Sequence, residues 1–312
     1  MDAPPSSPSA LAVPSDLVAP PRLAPDAHKG DAGRVLCIAG SETMPGAAIL
    51  VARAAQRAGA GLVAVGCLDA ALLTVLPPVA PEAVLVDLTE SFERAGRVRP
   101  EAAERLFARE PHAVLLGPGL GDDARTRAVL ALVLAKARVP LVLDADGLNA
   151  LDGRLELLRA ASVPIVISPH PLEAQRLLGR SVPRDLAGRR AAACELARRS
   201  GAVVCLKGQG TVVAEVRDGF ERVSVNPSGN EGLATAGAGD VLSGILVAYL
   251  ALVKSVGAAS WSPHAAAASA VFVHGLAGDL GAERLGKRAL IASDLIQELP
   301  AAQQRFEAAA RR

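Results

Sequence analysis

From Arg34 onward, short apolar runs alternate with stretches of helical periodicity, and this alternation limits the possible folds more than any other feature. Arg34-Val-Leu-Cys-Ile-Ala39 reads as a buried strand, and Gly46 to Gly59 reads as a helix closed by glycine. Strand-like runs follow at Leu62–Val65, Ala83–Val86, Ala113–Leu116, Leu141–Leu143, Ile165–Ile167 and Val203–Leu206. Helical patterns fill several of the gaps, at Glu101–Arg109, Ala124–Ala137 and Arg184–Ser200. Strands that are apolar throughout are buried on both faces, and strands separated by helices pair in parallel. The expected architecture is therefore α/β, with a mainly parallel sheet covered by helices on both sides. Thr211–Val216 and Glu221–Val225, joined through Asp218-Gly219, read as a late hairpin. Long helices at Ala238–Lys254 and His264–Leu280 complete the pattern. No internal repeat or second domain is visible, so residues 26–312 are expected to form one domain.

Composition narrows the function. Half the chain is apolar (51%) but only 2% is aromatic, which suits helices packed closely on a sheet rather than an all-β fold. A net charge of +1 with no lysine or arginine block argues against nucleic-acid or membrane-surface binding. Cys37, Cys67, Cys194 and Cys205 lack metal-ligand spacing and read as reduced, mostly buried thiols, so no protein-held metal is expected. No charged segment leads into an apolar one at the start, as a secretory signal requires. The apolar run Val241 to Val253 is broken by Ser243-Gly244 and reads as too short to cross a bilayer. A soluble, cytoplasmic protein is expected. Residues 1–25 hold seven of the 22 prolines and read as a disordered tail.

In an open parallel sheet, ligands gather beyond the carboxyl ends of the strands, where the unusual residues of this chain fall repeatedly. The candidates are Gly40-Ser41 with Gly46-Ala47-Ala48, Gly117-Pro118-Gly119-Leu120-Gly121, Asp144-Ala-Asp146-Gly-Leu-Asn149, Ser168-Pro169-His170-Pro171-Leu172-Glu173, and Lys207-Gly208-Gln209-Gly210-Thr211. Each also has a plainer reading. The glycines could be turn punctuation, Asp144 could cap a helix, and Lys207 could be a surface charge. His170 lies between prolines in a loop, which favours ligand contact over a place in the core. The G-x-G-x-x-G spacing of a dinucleotide fold is missing.

The strongest candidate is Asn226-Pro-Ser-Gly-Asn-Glu-Gly-Leu-Ala-Thr-Ala-Gly-Ala-Gly-Asp240, which runs directly into an apolar helix. Small residues at Ala236, Gly237, Ala238 and Gly239 permit a tight bend, and the first amides of the helix have no intrahelical partner, so they can hold an anion. Asp240 could merely answer the helix dipole. A carboxylate beside a phosphate cradle repels its ligand, however, and is better explained as a base for a hydroxyl taking part in phosphoryl transfer.

Taken together, His28 to Ser41, Gly46-Ala-Ala48, Arg57-Ala-Gly-Ala-Gly61, Gly117-Pro-Gly119, Asp144 to Asn149, Pro169-His-Pro171 with Glu173, Lys207-Gly208 and Asn230 to Asp240 resemble the ADP/ATP-dependent NAD(P)H-hydrate dehydratases, as do His274-Gly-Leu-Ala-Gly-Asp279 and Ile291-Ala-Ser-Asp294. The resemblance covers His28 to Leu299 and implies a ribokinase-like three-layer αβα sandwich. It implies that Ala47, Gly119, His170 and Asp240 contact hydrated NADH or NADPH, and that Lys207, Gly208, Gln209, Gly210, Thr211 and Gly239 contact the adenine nucleotide. It further implies that Asp240 deprotonates the ring hydroxyl, while the amides of Gly237, Ala238 and Gly239 steady the transferred phosphoryl group. ADP or ATP with magnesium, a homotetramer, and a separate epimerase protein complete what it implies. Leu172 stands where the family has glycine in Pro-His-Pro-Gly-Glu, and is expected to narrow the pocket or re-aim His170. The rival readings are a ribokinase-like kinase of a hydroxymethylpyrimidine, thiazole alcohol or sugar, and a non-catalytic nucleotide sensor.

Overall fold

A computed structural model describes residues 12–256 and 260–311. Nine strands form one sheet: β1 (Arg34–Ile38), β2 (Leu62–Cys67), β3 (Val84–Asp87), β4 (Ala113–Leu116), β5 (Leu141–Leu143), β6 (Ile165–Ile167), β7 (Val203–Leu206), β8 (Val212–Arg217) and β9 (Phe220–Val225). Their spatial order is β3-β2-β1-β4-β5-β6-β7-β8-β9. Pairing is parallel from β3 across to β7. The late hairpin β8–β9 is antiparallel and joins the sheet antiparallel to β7.

The helices are α1 (Pro45–Arg57), α2 (Ala70–Val75), α3 (Ala102–Phe107), α4 (Ala124–Lys136), α5 (Asp146–Asn149), α6 (Glu156–Arg159), α7 (Pro171–Leu178), α8 (Leu186–Ser200), α9 (Ala238–Ser255), α10 (Pro263–Leu285) and α11 (Ala292–Ala310). Side-chain alternation along each strand separates two cores. Val35 and Cys37 point into the layer built by α1, α9, α10 and α11. Leu36 and Ile38 point into the layer built by α3, α4, α7 and α8. Both faces are thus dry, as the uninterrupted apolar strands require.

Parallel pairing places the ends of β1 and of β4 to β7 along one rim, and the ladder continues into the loops beyond. Gly40 N–H donates to Pro118 O (2.7 Å), Gly117 to Ile38 O (3.1 Å), Asp144 to Leu116 O (3.2 Å), Ser168 to Leu143 O (3.1 Å) and Lys207 to Pro169 O (2.9 Å). These bonds set the five candidate loops side by side.

Several features differ from the sequence reading. Short helices α2, α5 and α6 are too brief to show a period of 3.6. Helix α11 carries Pro300 in its interior, a position that masks a helix from sequence. Helices α9 and α10 are long and apolar enough, by length and composition alone, to cross a membrane, contrary to the expectation from Val241 to Val253. Both are mostly buried against the sheet and each other. Of the expected tail, residues 1–11 lie outside the described residues. Residues 12–25 run along the surface with anchors: Ser224 Oγ donates to Asp16 (2.5 Å), Ser269 Oγ to Val18 O (2.7 Å) and Arg311 to Pro20 O (3.3 Å). Leu17 and Val18 pack on the core there, apolar residues that the proline content of the segment had outweighed.

Helices α1 and α9 meet at Gly244, where an added Cβ would lie 2.6 Å from Val51 O and 2.7 Å from Ala54 Cβ. Alanine in place of a helical glycine gains about 1 kcal/mol of propensity, but overpacking against rigid backbone costs about 1–3 kcal/mol. Gly244→Ala is expected to destabilise the protein on balance, seen as a lower urea midpoint with unchanged slope.

Candidate active site

Gly237 opens α9 in the left-handed region (φ +84°), and a Cβ there would meet Leu50 Cδ1 at 2.5 Å. Only glycine allows this bend. It turns the first amides of α9, those of Gly239 and Asp240, out of the helix ladder and toward the rim, an arrangement that attracts anions. The Asp240 carboxylate is partly buried beside them, and burial is the main reason its pKa is pushed up to about 6. Asp144 raises it further, Lys207 opposes, and Asp146 adds a smaller upward push. Among the described residues, no hydrogen bond engages the Asp240 side chain.

The neighbouring carboxylates are all occupied. Asp144 accepts from Lys207 Nζ (2.6 Å) through one oxygen and from Ser243 Oγ (2.6 Å) through the other. It does not cap α5, whose preceding residue is Ala145 at φ +47°. Asp146 accepts from Gly121 N–H (2.8 Å) and Asn149 Nδ2 (3.2 Å), fixing the Gly117–Gly121 turn. Glu173 accepts from His170 N–H (2.7 Å). Burial raises the Glu173 pKa, with Lys207, 3.9 Å away, working against it. Burial likewise works against the charge of Lys207, but Asp144, Glu173 and Asp240 outweigh it and hold its pKa above the ordinary value.

His170 caps α7. Its Nδ1 accepts from Leu172 N–H (3.1 Å) and Glu173 N–H (3.3 Å), while Glu173 answers as the other half of a capping box. With Nδ1 engaged as acceptor, a neutral ring carries its proton on Nε2. Burial and then Lys207 lower its pKa, so the ring stays neutral at pH 7 and offers Nε2–H as a donor. Leu172 is 61% exposed, and its amide donates to His170 Nδ1 as part of the α7 cap.

Ala47 and Gly119 face each other across the rim. Gly119 sits at φ +67°, and a Cβ there would stand 2.7 Å from Ala47 Cβ. Across α9 lies a cleft of about 560 Å³ lined by Lys207 to Thr211, Asn226, Ser228 to Glu231, Leu233, Ala238, Gly239 and His274. Its loops are braced by residues to which sequence reasoning gave no role. Buried Arg189 of α8 donates to the carbonyls of Leu206 (3.2 Å), Gln209 and Gly210 (3.1 Å). Asp279 of α10 accepts from Gly229 N–H and Asn230 Nδ2, both at 2.8 Å. Ser243 left a signal, as a hydroxyl interrupting an apolar helix. Arg189 left none, since charge on an amphipathic helix is ordinary.

An anion-binding helix turn, a free carboxylate and a nucleotide-sized cleft on a mainly parallel sheet define the class of ribokinase-like enzymes. In keeping with that class, a ribokinase-like superfamily protein from Enterococcus faecalis superposes with a TM-score of 0.72 at 26% identity, covering 92% of both chains. The chain belongs to the NAD(P)H-hydrate dehydratase family, whose model matches residues 35–301. A bifunctional NAD(P)H-hydrate repair enzyme Nnr from Moorella thermoacetica is 39% identical over 282 residues, which cover 90% of this chain and 51% of that protein. The chain thus spans about half the length of the first curated relatives it matches. The ADP-dependent (S)-NAD(P)H-hydrate dehydratase of Neisseria meningitidis is 36% identical over 84% of this chain and 82% of its own length. An ADP/ATP-dependent NAD(P)H-hydrate dehydratase from Bacillus subtilis, co-crystallised with ATP and magnesium, superposes with a TM-score of 0.76 at 29% identity, covering 92% of this chain and 95% of that one.

The raised pKa of Asp240 is also a cost to stability. A carboxyl that titrates near 6 when folded and near 3.8 when unfolded binds its proton more tightly in the fold, so stability falls as pH rises through that window. Two pKa units correspond to roughly 3 kcal/mol. Asp240→Asn is expected to raise the melting temperature at pH 8, with the gain vanishing below about pH 4, as thermal melts across pH would record.

Proposed function

We propose that this protein dehydrates the S epimer of hydrated NADH or NADPH at the expense of an adenine nucleotide, ADP by preference. The observation that carries the reading is Asp240. Its carboxylate has no hydrogen-bond partner among the described residues, and it sits at the anion turn between the nucleotide cleft and the rim of Ala47, Gly119 and His170. Asp240 takes the proton of the ring hydroxyl, whose oxygen attacks the terminal phosphorus of the nucleotide. The bond to the shortened nucleotide breaks with its electron pair, and the amides of Gly239 and its neighbours hold the negative charge on the transferred group. Phosphate is a far better leaving group than hydroxide. The carbon–oxygen bond then breaks with its pair on phosphate, the ring nitrogen lends its lone pair, and loss of a proton from the adjacent carbon restores the dihydronicotinamide.

His170, held as a neutral Nε2–H donor, suits a ring substituent such as the carboxamide oxygen. Lys207, buried with Asp144, faces the transferring group from beneath, while Gly208 to Thr211 line the nucleotide side. Among the described residues, no three His, Cys, Asp or Glu side chains converge to hold a metal. Magnesium enters the proposal as an ion carried by the nucleotide's phosphates, where it would neutralise their charge. A tetrameric assembly, a cytoplasmic location and a partner epimerase for the other epimer belong to the same proposal.

The test is recovery of reduced-nicotinamide absorbance from chemically hydrated NADPH with magnesium and either ADP or ATP. Turnover is expected with ADP, and Asp240→Asn should lower kcat by roughly 10²–10⁴-fold while ADP still binds. No recovery with either nucleotide overturns the reading, and a stable phosphorylated alcohol from another substrate would favour a kinase.

A further inference from the structure

One buried titratable group at the cleft has no part in the chemistry above. His274 lies on α10, is 9% exposed, and its Nε2 stands 2.9 Å from Ala238 O. A carbonyl oxygen can only accept, so Nε2 carries the proton. Burial pushes the ring pKa down to about 4, which keeps it neutral at working pH.

Ala238 is the first residue of α9, and its carbonyl belongs to the same peptide unit as the Gly239 amide. That amide is one of the free donors of the anion turn. A second donor on the carbonyl polarises the peptide and strengthens the N–H at its other end. It also fixes the rotation of a peptide unit whose far end is Gly239, a residue that by itself restrains the backbone little. The donor is itself held firmly. Gly275, the next residue, packs so closely on the 226–230 loop that a Cβ would lie 2.2 Å from Ser228 Oγ, and Ser228 Oγ donates to Phe272 O (2.8 Å).

We infer that His274 is a positioning residue for phosphoryl transfer, acting through the Ala238 carbonyl to aim and strengthen the Gly239 amide. The inference rests on the proposed reaction for its kinetic consequence, though not for its effect on nucleotide binding. It gives α10 a role beyond packing, and it links the nucleotide cleft, which His274 lines, to the turn that receives the transferred group.

Two variants test it. His274→Leu fills the space without a donor, and His274→Gln restores an N–H that can reach the same carbonyl. With His274→Leu, kcat for hydrate recovery should fall about 10- to 100-fold, the range for a lost charge-stabilising donor of indirect action, with KM for the hydrate within about twofold. His274→Gln should recover most of that loss. By calorimetry, the ADP dissociation constant should weaken roughly 3- to 10-fold in His274→Leu, as expected for one weakened hydrogen bond, and return toward the parent value in His274→Gln. Equal behaviour of the two variants in both measurements overturns the inference, as does a folded His274→Leu protein with unchanged kcat and ADP affinity. Should the parent protein fail to act on the hydrate, the calorimetric comparison alone decides the role of His274, so the two failures stay distinct.

Discussion

Lys207 sits beneath the rim with its ammonium 2.6 Å from Asp144 and 3.9 Å from Glu173, and the arrangement of the site depends on this contact. Lys207 directly follows β7, Asp144 directly follows β5, and Glu173 belongs to the helix that follows β6. Ser243 of α9 closes the group by donating to Asp144. One cluster thus ties three strand ends to the helix that carries the anion turn. Its members make poor stability elements by themselves, because burying charge costs several kcal/mol per ion before the attraction returns it. Removing one partner would strand the others, at about 3–5 kcal/mol. A pair of this kind fixes geometry more than it adds stability.

The same cluster sets the surroundings of Asp240. Asp144, Asp146 and Glu173 lie in the same cluster of loops, and each accepts hydrogen bonds from a lysine, a serine, an asparagine side chain or backbone amides. Among the described residues the Asp240 carboxylate has no hydrogen-bond partner, and burial and the charge of Asp144 raise its pKa toward the working range of a general base. Three neighbours are satisfied so that one can remain free.

The architecture was legible in the sequence because its signals are local. Apolar strands buried on both faces announce a parallel sheet, and the glycines at 237 and 239 before an apolar helix announce an anion turn. Asp240, Ala47, Gly119, His170 and the Lys207 loop all lie on the rim where strand order places them. What sequence could not supply were contacts between residues far apart in the chain. Asp144 passed equally well for a helix cap until Lys207, 63 residues on, proved to be its partner. The roles of Ser243, Arg189 and Asp279 depend on such pairings as well. The proline-rich stretch before residue 26 misled in the opposite sense, because composition says nothing of a few apolar side chains finding a groove.

Charge accounting at the rim sharpens the reading of the nucleotide. Lys207 is paired with Asp144, while Asp240, Asp146 and Glu173 bring further carboxylates to the rim before any phosphate enters. His170 and His274 are both held neutral by burial and contribute donors rather than charge. The helix amides supply roughly half an elementary charge, too little to offset these carboxylates facing a polyphosphate. A bare nucleotide is therefore disfavoured relative to one that arrives with a divalent cation on its phosphates.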